Sequence, residues 1–99
     1  MQVQVVENWA IVSGKINAIS DHSELSDYAS ATISVTEVTP VDGYANLFSW
    51  AVGKQINVNI PKVKLDELGL SAGDSVRARV RKAGPTSAFV DPHEITKTN

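Results

Sequence analysis

The stretch that most restricts this chain is residues 56–82, INVNIPKVKLDELGLSAGDSVRARVRK. Ile56, Val58 and Ile60 alternate with Gln55, Asn57 and Asn59. That period of two gives one apolar face and one polar face, as in a half-buried strand. Pro61 lacks an N–H and stops the ladder. Leu65 and Leu68 lie three apart, on one side of a short helix. Gly69 stands where helices commonly end in the left-handed conformation, which places Leu70 to pack back onto Leu65. Residues 71–74, Ser-Ala-Gly-Asp, carry turn chemistry. Val76, Ala78 and Val80 then alternate with Arg77, Arg79 and Arg81, so period two returns with a cationic outer face. A helix this short cannot stand alone, because nucleation is unfavourable and few bonds follow it. It must be a plug, holding two leucines against a sheet. Strand, plug and strand, in a chain otherwise made of strands, predict a small closed or nearly closed barrel.

The rest of the chain fits that plan. Residues 1–6 alternate weakly and read as an edge strand or a lead-in. Residues 9–19 form the first strand, with Gly14 marking a bulge or bend that turns a barrel corner. Residues 20–27, SDHSELSD, form a polar loop. Residues 28–38 form the second strand, with Ala31, Ile33 and Val35 inward and Thr32, Ser34 and Thr36 outward. Residues 39–53 hold Pro40 and Asp42-Gly43, then Tyr44, Leu47, Phe48 and Trp50 within seven positions. This segment is either a lid on one barrel mouth or an aromatic contact surface. A turn at 83–86 leads to a last strand at 87–91 carrying Phe89, and residues 92–99 read as a frayed polar tail. The order is β-β-β-α-β-β with a bent first strand. The expected fold is all-β: one domain, residues 1–99, forming a five-stranded OB-like Greek-key barrel with one short helix between strands three and four.

Composition excludes several chemistries. The 99 residues contain no cysteine, so no disulfide, thiol nucleophile or Cys-based zinc site exists. No apolar run approaches the ~20 residues of a membrane helix, and the start shows neither a basic region nor a long apolar run. A cytoplasmic protein is expected. Net charge is −2 but uneven: residues 1–50 carry one base against six acids, residues 51–99 eight bases against five acids.

Around Leu68-Gly69-Leu70, Gly73-Asp74 and Lys82-Ala83 the chain resembles the Mop/TOBE family of small OB-type domains. Asn8 with Gly14-Lys15-Ile16 is similar to that family's opening segment. The resemblance covers about a third of the chain. It implies binding of molybdate or a similar oxyanion. The chain departs from the pattern where Gly84-Pro85 replaces a hydroxyl residue after Lys82-Ala83, and where Glu7 stands in place of an arginine.

Four function classes are weighed. Catalysis has no visible set of nucleophile, base and orienting group, so no enzyme is expected, with no catalytic residue, no metal and no cofactor apart from the molybdate alternative. Nucleic acid would use Arg77, Arg79, Arg81 and Lys82 to hold phosphates, although strands two and three present no outward aromatic or base. An oxyanion would sit at Lys82, Ala83, Gly84, Thr86 and Ser87. A protein partner or a second copy would dock on Tyr44, Leu47, Phe48 and Trp50. The leading expectation is a non-enzymatic binding or assembly module using that aromatic segment.

Overall fold

The computed structural model describes residues 7–84 and 87–99; the expectation for residues 1–6 falls outside them. Five strands form: β1 (Ala10–Asp21), β2 (Tyr28–Pro40), β3 (Gln55–Pro61), β4 (Ser75–Lys82) and β5 (Ala88–Lys97). One short helix, α1 (Lys62–Leu68), links β3 to β4, and a single 3-10 turn occupies Ser49–Ala51. The strands close in the order β1-β2-β3-β5-β4. This is the OB plan: all-β, with the helix between strands three and four.

Alternation decides what faces inward. Val12 and Ile16 of β1, Ala31, Ile33 and Val35 of β2, Ile56, Val58 and Ile60 of β3, and Val76, Ala78 and Val80 of β4 all join one buried cluster. In β2, β3 and β4 each of these side chains sits two residues from the next, and in β1 Gly14 takes the step between Val12 and Ile16, so one face of each strand leaves water together. Asn59, read as outward, is buried, because β5 pairs with β3 at Asn59↔Phe89.

The β1–β2 ladder changes register at Ser13/Gly14 and again between Ile16 and Ala18. Gly14 lies at the first change for a steric reason. A Cβ there would meet the Ser34 backbone oxygen at 2.2 Å, so the two backbones approach as only glycine permits. Bulges of this kind bend a strand and tighten its twist, which is how β1 can pair with β2 along one edge and with β4 along the other.

The plug helix forms and ends as its sequence dictates. Gly69 adopts φ 63°, ψ 39°, and the Leu70 N–H donates to the Leu65 carbonyl at 3.0 Å. Together these make a Schellman-type end. Leu65 and Leu68 are only partly buried against the core, while Leu70 is buried within it. The plug is therefore a three-leucine contact whose deepest member follows the helix.

The C-terminal segment corrects an expectation. Residues 92–99 are not a frayed tail: β5 runs to Lys97 and buries Ile95 opposite Ala78. The ladder shifts between Ala78 and Val80, where the Asp91 carboxylate accepts the His93 N–H at 2.9 Å. Pro92 sits in this irregularity, where its missing N–H breaks no regular pairing. The end is then tied down: the Thr98 N–H donates to the Ser75 carbonyl at 2.8 Å, and the Ser75 N–H donates to the Asn99 Oδ1 at 3.1 Å.

Candidate binding site

The aromatic segment divides in two. Phe48 is 3 % exposed and belongs to the core with Ala51, so Phe48 is corrected from contact residue to lid. Leu47 is half-buried. Trp50 is 50 % exposed, and its indole N–H donates to the Leu47 carbonyl at 2.8 Å. The short 3-10 turn explains the split, since it sends Phe48 down into the mouth and leaves Trp50 outside. Tyr44 is 38 % exposed and faces Arg79 instead, its ring centroid 5.6 Å from the guanidinium.

Trp50 borders a cleft of about 190 Å³. Phe48 and Trp50 form one end, Gln55, Ile56 and Asn57 of β3 form one bank, and Lys82, Ser87 and Ala88 form the other. The cleft exists because β3 and β5 meet in parallel at a single ladder pair, Asn59↔Phe89. Toward Gln55 the two strands have no ladder pair, and the barrel wall splits. A second, more polar groove of about 480 Å³ continues past Asn57, Ser87 and Ala88 to Ser20–Glu24 of the β1–β2 loop.

Lys82 is the one charged residue among the described residues that line the cleft. None of the ion pairs among the described residues involves it. The backbone of Lys82 is fixed by Asn8, whose Oδ1 accepts the Lys82 N–H at 2.7 Å and whose Nδ2 donates to the Lys82 carbonyl at 2.9 Å. Asn8 is 3 % exposed and also forms a bridge with Ala45, where the Trp9 N–H donates to the Ala45 carbonyl. Asn8 thus joins the 40s segment to the end of β4.

The oxyanion set is partly assembled. Lys82 and Ser87 share the cleft. The Ala83 N–H already donates to the Ser87 carbonyl at 2.8 Å, which closes the turn and takes that donor away from an anion. Gly84 is half-buried, and Thr86 lies outside the described residues.

The arginine stripe is on a different surface. Arg79 lies over Trp9 at 4.4 Å and near Tyr44, while Arg81 lies 5.7 Å from the Phe89 ring. Phe89 in turn meets Tyr28 edge-on at 5.6 Å. The Arg79 Nε is buried without a hydrogen-bond partner, so that guanidinium serves packing on the rings. Arg77 and Arg81 are exposed. Sequence reasoning found the arginines but missed their aromatic partners, because Trp9 and Tyr44 reach Arg79 only through strand closure.

Among the described residues no group of three or more His, Asp or Glu could hold a metal ion, and no helix is long and apolar enough to cross a membrane. Compared with known proteins, the chain matches no family model and no curated sequence.

Proposed function

We propose that this barrel is a non-enzymatic binding module that takes a protein partner at the cleft between β3 and β5. The observation that carries this reading is Trp50. Its only polar group is already bonded to the chain's own carbonyl, so the half of the ring left in water is apolar and fixed in orientation. An aromatic held this way loses little entropy when a partner covers it, and such residues dominate binding energy at interfaces. The 40s contact surface therefore narrows to Trp50 with the cleft beside it. The test is selection of displayed random peptides against the folded barrel, followed by anisotropy titrations. Binders that weaken about tenfold or more with Trp50→Ala support the reading. A chain that is monomeric by light scattering and yields no Trp50-dependent binder rejects it.

A compact oxyanion is a second reading, favoured by Lys82 and Ser87 facing the same cleft. Calorimetry with molybdate and with sulfate tests it: heat abolished by Lys82→Ala supports it, and no heat at millimolar anion ends it.

A further inference from the structure

We infer that the partner is held as an added β-strand: an extended peptide segment pairs antiparallel with the open edge of β3 at Gln55 and Asn57 and sets a carboxylate against Lys82. This rests on the reading of the cleft as a partner site. The ladder phase singles out those two residues. The Val35 N–H donates to the Lys54 carbonyl at 2.9 Å, and the register continues as Ile33↔Ile56 and Ala31↔Val58. In an antiparallel pair alternate residues turn their backbone groups to the same neighbour. Ile56 and Val58 therefore face β2, while Gln55, Asn57 and Asn59 face the β5 side. Among the described residues, Asn59 alone of these three has a ladder partner across the seam. A strand edge left open in this way is a template for another chain.

The cleft chemistry selects the segment. The largely buried Ile56 backs the cleft, and the half-exposed Trp50 ring supplies the apolar surface for the side chains of an added strand. Among the described residues that line this end Lys82 is the one charge, with exposed Lys54 directly before Gln55 in the chain. The adjoining groove carries Glu24 and Asp21, the latter paired with Lys62 at 3.3 Å, so Glu24 is the acid left to face a base on the segment. A segment with an acid at one end and a base at the other matches this arrangement. Antiparallel pairing puts the acid at the C-terminal end of the segment.

The probe is the peptide acetyl-Lys-Val-Thr-Val-Glu-amide, titrated to millimolar concentration into the ¹⁵N-labelled full chain. The expected result is shifted and exchange-protected amides at Gln55 and Asn57. Binding should be roughly tenfold weaker when the peptide amides that face β3 are N-methylated, and Lys82→Glu should reverse the preference toward a lysine at the C-terminal end. Unmoved β3 amides, or binding indifferent to N-methylation, overturn the inference. If displayed peptides still depend on Trp50 in that case, the partner reading stands and strand addition alone falls. Protection at Gln55 and Asn57 that appears with protein concentration and no peptide assigns the edge to a second copy and overturns the peptide as occupant.

Discussion

Asn8 and Lys82, seventy-four positions apart, are joined by two hydrogen bonds from one carboxamide to both backbone groups of one residue. The side chain imitates a strand partner at the point where the β1–β4 ladder has ended, while Lys82 still pairs with Ala88 on its other side. This bond pair fixes the backbone of Lys82, the one charged residue among the described residues lining the cleft, and the Asn8–Ala45 bridge joins the same point to the 40s segment.

Asn8→Ala removes both bonds at a largely buried place. A loss of about 1–3 kcal/mol is expected, the cost of leaving buried backbone groups unpaired. Urea denaturation checks it. Asn8→Asp keeps the acceptor but loses the donor to the Lys82 carbonyl, so it should be destabilised as well, and more strongly near neutral pH than in acid.

Gly14→Ala places a Cβ against the Ser34 backbone oxygen. Backbone must move, and a loss of about 1–3 kcal/mol or more is expected. Gly69→Ala meets no atom within 4 Å but forces alanine to φ 63°, which costs about 1–2 kcal/mol. Thermal unfolding of the two variants separates collision from conformational strain.

Phe48 and Trp50 should behave oppositely. Phe48→Ala opens a cavity in the core and should cost about 3–5 kcal/mol. Trp50→Ala removes a half-exposed ring and should cost about 1 kcal/mol or less. Equal losses in chemical denaturation would show Trp50 to be a structural residue and would remove the basis for its role as anchor.

Asp74 gives the fold an acid-sensitive point. Its carboxyl is held below the ordinary value of 3.8, first by the Ser71 backbone N–H, then by the Asn99 side chain and Lys97. A lowered carboxylate stabilises the folded state fully above its unfolded pKa, and that contribution fades as pH falls through the folded value. Stability should therefore drop below about pH 4, and Asp74→Asn should flatten that slope while lowering stability at neutral pH. Denaturation midpoints between pH 2 and pH 7 test both.

Arg79 packs on Trp9 with a buried, unpartnered Nε. Arg79→Leu keeps apolar cover and removes the orphan donor, so stability should change by about 1 kcal/mol or less. The Trp9 emission should shift, since the cation over its ring is gone. A loss much larger than this in urea would mean that the guanidinium makes contacts beyond the two rings.

The barrel was legible because its signals are local. Period-two alternation in β2, β3 and β4 names the inward residues, and Leu68-Gly69-Leu70 carries its own helix end. The tail was misread because Pro92, His93 and Glu94 resemble a strand terminus, while the single apolar Ile95 gives no period. Only closure of the ladder beside Ala78 puts Ile95 in the core. The cleft was illegible for a similar reason. Trp50, Gln55 and Lys82 are unremarkable as neighbours in sequence, and their meeting depends on β3 and β5 touching at one pair.

The sequence by itself determined which face of each strand leaves water, because alternation along an extended chain acts within a few residues. It also determined where the helix stops, through a glycine that can turn left-handed. Tertiary structure alone decided that Phe48 is core and Trp50 is surface, that Asn8 clamps Lys82, and that one seam of the closed barrel is joined at a single ladder pair. Those outcomes depend on how the five strands close around a fixed volume, and that closure couples residues that no local pattern connects.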